Sequence, residues 1–227
     1  MIFGKNADKS VRKDVSEKAM IVVARRKPLI VGLGGTTRAR SSSASAMICA
    51  LKGAAELGAN TEFFDGPQLM LPMYSPDVSL RTAEAQRLLD ALRMADGIIL
   101  ASPGYHGSIT GLLKNALDYV EDLRNDARPY FENRAVGCIV CAAGWQAVGT
   151  ALIALRTVVH ALRGWPTPLG VGINTVGPTI FEGDLCTDSA VASQLRTVAG
   201  QVVQYASRSI AHEDASPIKE RATEASR

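Results

Sequence analysis

The chain has 227 residues, of which 47% are hydrophobic and 21% charged, which is enough for one globular domain with a sizeable core. This composition excludes a disordered or fibrous chain, and the aromatic content of 5% argues against a nucleic-acid platform built on base stacking. The net charge is +3, and the surplus lies at the N-terminus, where residues 1–27 carry eight Lys and Arg against three acids.

Apolar runs bounded by glycine alternate with segments of helical spacing along the chain. The predicted strands are residues 28–35, 61–66, 96–103, 135–144 and 169–174. The predicted helices are residues 43–57, a segment with Leu88, Leu89 and Leu92 on one face, and residues 112–123, 147–164 and 188–210. Each strand is therefore followed by a helix.

Strands this apolar, each separated by a helix, are typical of a parallel sheet covered on both faces. They fit the flavodoxin-like three-layer α/β/α fold with a five-stranded parallel sheet of order 2-1-3-4-5, whereas an eight-fold barrel needs about 250 residues. We predict a basic N-terminal arm over residues 1–27, the domain itself over residues 28–210, and a flexible tail over residues 211–227. The arm is expected to be helical and to pack on its own subunit or on a neighbour.

The cysteine pattern does not indicate a disulfide framework or a metal site. Cys138 and Cys141 form a C-x-x-C, but they lie in an apolar strand-like run, in which positions three apart face opposite sides of the sheet. Three histidines in the whole chain are too few for a histidine-rich metal centre. No apolar run approaches a membrane span or a signal-peptide core, so we expect a cytoplasmic protein.

In an open parallel sheet, ligands bind beyond the carboxyl ends of the strands, where the strand order reverses. For the order 2-1-3-4-5, that place lies between the loops after Gly35 and after Ser102. The first loop places hydroxyls and a guanidinium at a helix start, which suits a phosphate monoester because the helix adds N–H donors and a favourable dipole. A polar turn capped by serines is an equal alternative. The candidate residues are Thr36, Arg38, Ser41, Ser42 and Ser43.

The second loop carries more special residues than a strand-to-helix connection needs, and its glycines allow a flat ring to approach the backbone closely. The candidate residues are Pro103, Gly104, Tyr105, His106, Gly107 and Ser108. The plain alternatives are a capping aromatic at Tyr105 and a surface histidine at His106, which we expect to transfer no proton. Lys114 and Asp118, at i,i+4, are expected to pair on the helix surface.

The loop after the fourth strand supplies the last candidates. By position, Ala143, Gly144 and Trp145 should touch the far edge of such a ring or a nicotinamide. A tryptophan packed into a subunit interface is an equal alternative for Trp145.

These loops resemble the NAD(P)H-dependent FMN reductase family of the flavodoxin-like fold, over about residues 29–206. The family's first-loop pattern, G-[ST]-x-R-x-x-S-x-[NST], is matched from Gly35 to Ser43. Its second pattern, P-x-Y-[NH]-G-S-x-x-G-x-L-K-N-A-L-D, is matched from Pro103 to Asp118 and is long and specific. Relatives that reduce quinones or chromate often read P-E-Y-N, whereas this chain has Gly104 and His106, so the resemblance does not identify the electron acceptor.

The resemblance implies an NAD(P)H-dependent flavin oxidoreductase whose FMN has its phosphate at the first loop and its ring along the second. NADPH or NADH would pass a hydride to the flavin, as bound or free FMN, and a second acceptor would take the electrons. No protein acid or base is required, so no catalytic side chain is predicted. The resemblance also implies a homodimer or homotetramer.

Two alternatives stay open, a quinone or azo reductase and a flavodoxin-type electron carrier. Carriers that dock on proteins tend to be strongly acidic, whereas residues 29–206 carry 13 basic and 15 acidic side chains, which favours the enzyme. The expected partners are small molecules, NAD(P)H and a flavin or quinone-like acceptor, with a flavin-dependent monooxygenase as a further candidate. No nucleic-acid partner is expected; a basic arm that tethers the protein to nucleic acid or a membrane is the weaker alternative.

Overall fold

The computed structural model describes residues 26–38 and 40–215, so the predicted helical arm up to residue 25 and residues 216–227 lie outside the described residues. The strands are β1 (Leu29–Gly34), β2 (Asn60–Phe64), β3 (Gly97–Pro103), β4 (Ala135–Ala142), β5 (Trp165–Pro166), β6 (Val171–Asn174), β7 (Phe181–Glu182) and β8 (Leu185–Cys186). The α-helices are α1 (Ser42–Glu56), α2 (Ala83–Met94), α3 (Gly111–Asp118), α4 (Trp145–Ala161) and α5 (Ser189–Ala215). Short 3-10 helices span Pro67–Leu69 and Tyr119–Leu123.

The main sheet is parallel and has the order β2-β1-β3-β4, with β5 and β6 both paired to β4. This confirms the predicted flavodoxin-like order 2-1-3-4-5. The fifth position is divided between two short strands, because β5 pairs with Ala135 and Val136 while β6 pairs further along from Ile139. Pro168 lies between them, and a proline has no N–H to continue the ladder.

Helices cover both faces of the sheet and bury two apolar cores. One core packs α2, α3 and α4 against the sheet, and the other packs α1 and α5 against the opposite face. Cys138 belongs to the first core and Cys141 to the second, as their spacing predicted. Burial raises the pKa of both thiols to about 12. Among the described residues, no cluster of His, Cys, Asp and Glu is able to hold a metal ion, and no helix is long and apolar enough to cross a membrane.

Three local features differ from the sequence-based prediction. The helix predicted over residues 112–123 is an α-helix only to Asp118 and continues as a 3-10 helix. The last helix runs to Ala215, so residues 211–215 of the predicted flexible tail are helical. The C-terminal end of α5 lies near Arg26. The pKa of the Arg26 guanidinium is raised by its hydrogen bonds to Asp96 and also by the carboxylates of Glu213 and Asp214 on α5. The two-residue strands β7 and β8 form an antiparallel hairpin, which the hydrophobic pattern of the sequence did not predict.

An ion pair fixes the chain where it enters the sheet. Arg26 donates to both carboxylate oxygens of Asp96, at 2.6 and 2.8 Å, and the backbone N–H of Leu29 donates to the same carboxylate at 2.8 Å. Asp96 is only 5% exposed, so these donors satisfy a charge that burial would otherwise destabilise. The contact lies at the amino ends of β1 and β3.

The asparagine of the second-loop motif holds the segment after β2 in place. Asn115 is buried and accepts a hydrogen bond from the backbone N–H of Tyr74 at 2.8 Å, and it donates to the carbonyl oxygen of Pro72 at 2.9 Å. The Tyr119 hydroxyl donates to the same carbonyl at 3.0 Å. This part of the motif is therefore used to fasten a loop.

A second ion pair closes the same loop. The Nε and Nη2 atoms of Arg81 donate to the carboxylate of Asp122 at 2.6 and 2.9 Å, and the guanidinium lies over the Tyr74 ring at 4.7 Å from its centroid. The pKa of Asp122 is lowered by these hydrogen bonds from Arg81.

The Asp122 ion pair predicts a particular acid sensitivity. A carboxylate with a lowered folded-state pKa stabilises the fold above its unfolded pKa of about 4, and this stability is lost as the pH falls through the folded pKa. We expect Asp122→Asn to be less stable than wild type at pH 7 and to lose less free energy of unfolding below about pH 4. Urea unfolding at several pH values measures both quantities, and equal acid sensitivity in the two proteins would contradict the assignment.

Candidate active site

The loops at the carboxyl ends of β1, β3, β4 and β6 surround a cleft of about 330 Å³. The predicted residues on its wall are Thr36, Arg38, Ser41, Ser42, Ser43, Pro103, Gly104, Tyr105 and Ala143. Its wall also includes three residues that the sequence analysis did not predict for this site, namely Cys141, Ala142 and Thr175. The other predicted residues lie beyond this wall: His106, Gly107, Ser108, Gly144 and Trp145.

The first loop turns sharply from β1 into α1. Gly35 has a φ of +91°, a conformation that favours glycine, and the Thr36 hydroxyl accepts a hydrogen bond from the Arg38 backbone N–H at 3.0 Å. The Ser41 hydroxyl caps α1 by accepting from the Ala44 N–H at 3.2 Å and lies 3.2 Å from the Ser43 hydroxyl. The capping role is therefore present in the structure, and the same turn leaves the Arg38 side chain exposed at the cleft.

A larger cavity, of about 410 Å³, adjoins the cleft across the start of α1. The two share Ser42 and Thr175, and the larger one is lined further by Arg40, Ser45 and the segment from Gly177 to Gly183. It holds none of the second-loop residues. The smaller cleft is therefore the one that brings the predicted loops together.

The second loop contains a tight two-residue turn. Tyr105 and Ser108 exchange backbone hydrogen bonds of 3.0 Å in both directions, and the residues between them have positive φ angles, +50° at His106 and +81° at Gly107. Such a turn requires left-handed backbone at both central positions, where His, Asn and Asp are the most tolerated residues after glycine. The positive φ angles thus explain why the motif has Asn or His followed by Gly at positions 106 and 107.

This turn predicts an order among substitutions at position 106. His106→Asn should keep the stability of wild type, whereas His106→Val should lower it by about 1 to 2 kcal/mol because a β-branched residue fits left-handed backbone poorly. Urea unfolding of the two variants measures the difference. Equal stability of the Asn and Val variants would show that the turn does not depend on the residue at this position.

The rest of the second loop is anchored from beneath. The buried Ser102 hydroxyl accepts from the Thr110 backbone N–H at 3.0 Å and donates to the Pro103 carbonyl at 2.9 Å. Thr110 in turn caps α3 by accepting from the Leu113 N–H. Tyr105, above this anchor, is 55% exposed at the edge of the cleft, so its ring is not used as core. The predicted surface pair of Lys114 and Asp118 is present at 2.5 Å.

Gly104 allows the second loop to pack directly on α4. A Cβ atom at this position would lie 3.0 Å from the Ala142 Cβ, 3.2 Å from the Ala147 carbonyl oxygen and 3.3 Å from the Ala151 Cβ. A Cβ atom at Gly104 would therefore be packed tightly between the fourth strand and α4.

The third loop is held by a residue that the sequence did not single out. Gly144 has a φ of +102°, and its N–H donates to the Asn174 side-chain oxygen at 2.9 Å. The same oxygen accepts from the Val176 N–H at 3.0 Å, so Asn174 ties the loop after β4 to the loop after β6. Trp145 begins α4 and is 68% exposed, an exposure compatible with both roles considered for it.

Comparisons with known proteins agree with this arrangement. The family model of NADPH-dependent FMN reductase matches residues 28–176, more than half of the chain. An NADPH azoreductase of Bacillus sp. (strain OY1-2) is 29% identical over 129 residues, which are 56% of this chain and 68% of that protein. An FMN-dependent NADPH-azoreductase of Staphylococcus aureus (strain USA300) is 33% identical over 94 residues, 41% of this chain and 46% of that protein.

Solved structures show the same fold. An NADH:FMN oxidoreductase in its apo form superposes with a TM-score of 0.59 at 22% identity, covering 78% of this chain and 89% of that one. The NAD(P)H:acceptor oxidoreductase FerB of Paracoccus denitrificans gives 0.60 at 20% identity, covering 80% and 98%. A flavodoxin from a pneumococcal strain gives 0.54 at 11% identity, covering 78% and 98%.

The family match confirms the resemblance on which the sequence analysis relied. It confirms the oxidoreductase class, with FMN as cofactor and NAD(P)H as co-substrate. The matched residues include the first and second loops in full. The chain belongs to the NADPH-dependent FMN reductase family.

Proposed function

We propose that this protein is an NAD(P)H-dependent flavin reductase that holds FMN in the 330 Å³ cleft. The observation that carries the proposal is the composition of the cleft wall, which is polar and cationic at the first loop and small and flat at the second and third. The two ends correspond to the phosphate and the ring of one elongated ligand. The family match supports the same ligand.

The first loop has the donor set that a phosphate monoester needs. Arg38 supplies an exposed guanidinium, Thr36 and Ser42 supply hydroxyls, and the start of α1 adds backbone N–H groups with the positive end of the helix dipole. Charge-assisted hydrogen bonds of this kind are roughly twice as strong as neutral ones. We assign the phosphate of FMN to this end.

The other end of the cleft fits a planar ring. Its wall consists of Pro103, Gly104, Ala142 and Ala143, with no side chain longer than a proline ring, and Tyr105 stands at its rim. Cys141 also faces this end, and burial raises the pKa of its thiol to about 12, so it stays neutral. The surface is therefore uncharged and can lie flat against an isoalloxazine.

When bound, FMN supplies the chemistry, by accepting a hydride from NAD(P)H and passing electrons to a second acceptor. The protein binds and orients the reactants. Among the described residues, the cleft wall contains no Asp, Glu, His or Lys, so the chain offers no carboxyl, imidazole or ammonium group for proton transfer there. We accordingly assign no catalytic side chain. We assign to His106 the structural role of adopting the left-handed backbone conformation of the turn between Tyr105 and Ser108.

Removing the guanidinium at the phosphate end should weaken FMN binding. We expect Arg38→Ala to cost about 1 to 3 kcal/mol, which is about 5- to 150-fold in Kd, through the loss of a charge-assisted contact. Fluorescence titration with FMN measures it. The neighbouring Arg40→Ala is the matched control, because Arg40 lines the adjoining cavity and should leave Kd within about twofold. Unchanged affinity in Arg38→Ala would remove this residue from the site.

The activity itself is tested with NADPH or NADH and free FMN in the absence of any protein partner. Steady oxidation supports a reductase, whereas a single reduction of bound flavin would identify an electron carrier. Among second acceptors we favour azo compounds, because two relatives are azoreductases by name. A quinone and a flavin-dependent monooxygenase are the alternatives to compare in the same assay. Absence of flavin absorbance and of FMN binding would overturn the proposal.

We further propose a cytoplasmic homodimer or homotetramer. Large apolar side chains stand exposed on one copy, among them Met73 (82%), Leu80 (87%) and Trp145 (68%), and exposed apolar groups of this kind mark interaction surfaces when they are contiguous. Sedimentation at micromolar concentration tests this, and a monomer would contradict it.

A further inference from the structure

Two cysteines that the flavin cleft does not use lie side by side at the surface. Cys49 is on α1 and Cys186 on β8, and both are free and half-buried. They line one cavity of about 260 Å³ together with Lys52 and Arg196. Far apart in sequence, they are brought together by the fold.

The β7–β8 hairpin lies directly on the helix that carries Cys49. Ser45 and Cys49, four residues apart, share one face of α1. The Ser45 hydroxyl donates to the Gly183 carbonyl at 2.9 Å, and the Cys49 thiol to the Asp184 carbonyl at 3.3 Å. These carbonyls form the turn of the hairpin, and Cys186 follows it.

The Cys186 thiol also affects the pKa of the Cys49 thiol. Cα atoms of β8 come within 8 Å of α1, and a disulfide between the two elements needs the Cα atoms of the two cysteines within about 7 Å of each other. The pKa of the Cys49 thiol is raised first by burial and then by the Cys186 thiol, while the backbone N–H of Cys186 lowers it.

We propose that Cys49 and Cys186 are a redox-active pair that forms an intramolecular disulfide with hydrogen peroxide as the oxidant. One thiolate attacks the O–O bond, becomes a sulfenic acid and releases hydroxide, which takes up the proton lost by that thiol. The second thiol then displaces water from the sulfenic acid. In total, two thiols are oxidised to one disulfide and one peroxide is reduced to two waters.

The bond would fasten the hairpin to α1 beside the cofactor cleft. The segment from Gly177 to Gly183, which leads into and forms the start of the hairpin, lines the 410 Å³ cavity that shares Ser42 and Thr175 with the cleft. A covalent link at Cys186 therefore restrains one wall of that cavity. Because burial raises the pKa of both thiols, the reaction should accelerate from pH 7 to pH 9.

The test treats the reduced full-length protein with hydrogen peroxide, blocks remaining thiols in denaturant, and measures the intact mass and the linked peptides without reductant. We expect the loss of two hydrogens, one peptide joining Cys49 to Cys186, and reversal by dithiothreitol. The oxidised protein should melt about 5 °C or more above the reduced protein, because the link restricts the unfolded chain.

Variants separate this pair from the other thiols. Cys49→Ser and Cys186→Ser should each abolish the linked peptide, whereas Cys138→Ala, on the far face of the sheet, should retain it. Sulfinic or sulfonic acid at the separate cysteines, disulfides between chains, or no reaction would each overturn the proposal. None of these readouts depends on FMN, so the outcome is independent of the proposed function.

Discussion

Replacing Gly66 with alanine should weaken FMN binding by about 10- to 100-fold and lower the free energy of unfolding by about 3 kcal/mol. A Cβ atom at Gly66 would lie 1.7 Å from the carbonyl oxygen of Thr36 and 2.4 Å from its carbonyl carbon. The backbone of the first loop must move to relieve this overlap, because both atoms are main chain. The proposed phosphate donors move with it, and each displaced charge-assisted contact is worth about 1.5 to 3 kcal/mol.

The Gly66→Ala variant tests the steric contact between a Cβ atom and the Thr36 backbone, not the φ/ψ preference of alanine. Gly66 has φ −50° and ψ −51°, a helical conformation that alanine adopts readily. Gly111→Ala is the matched control, because a Cβ there meets no heavy atom within 4 Å, and it should be neutral or slightly stabilising. FMN titration and urea unfolding of both variants decide the matter. Wild-type affinity in Gly66→Ala would show that the first loop adapts without cost.

Replacing Arg134 with leucine should lower the free energy of unfolding by about 3 to 5 kcal/mol. Arg134 is 1% exposed and donates hydrogen bonds to the carbonyl oxygens of Ala95, Arg93 and Tyr130. Two of these carbonyls belong to the end of α2, where a helix has no internal donors and a cation is favoured by the helix dipole. Burial lowers the pKa of the guanidinium to about 10, which leaves it charged at neutral pH.

A leucine restores apolar packing but removes the Arg134 donors from all three carbonyls, and Arg128 donates to only two of them, which is why we expect a loss and not the neutral exchange seen for some buried ion pairs. Arg128 donates to the Arg93 and Ala95 carbonyls as well, so the end of α2 keeps one cation in the variant. Arg124→Ala is the control, because its pair with Glu121 is exposed and should contribute less than about 1 kcal/mol. If both variants unfold at the same urea concentration, the Arg134 network does not contribute to stability.

Much of the fold was predictable because β1, β3 and β4 are largely apolar runs and each is followed by a helix. The division of the fifth position into β5 and β6 was not, since it depends on where Pro168 falls relative to β4. The β7–β8 hairpin could not be predicted from the sequence for another reason. Its strands are two residues long, too short for any periodicity, and it is held by α1 through Ser45 and Cys49.

In the candidate site, some residues could be predicted from short sequence motifs, whereas others matter only through contacts with residues far away in sequence. The residues of the first two loops could be named from strand ends and motifs, because parallel strands place their carboxyl ends at one edge. Thr175, Asn174 and Gly66 could not, because their importance lies in contacts with parts of the chain far away in sequence. An asparagine at the end of a short strand was the one local signal for Asn174.

The bidentate pair of Arg26 and Asp96 determines the pole of the domain at which the N-terminal segment is attached. It stands at the amino ends of the strands, and β1 is six residues long, so about 20 Å of sheet separates it from the cleft. A fusion partner joined directly to residue 26, in place of residues 1–25, would therefore start on the side facing away from the proposed FMN cleft. Immobilising the enzyme through that end should leave the mouth of the cleft directed toward solution.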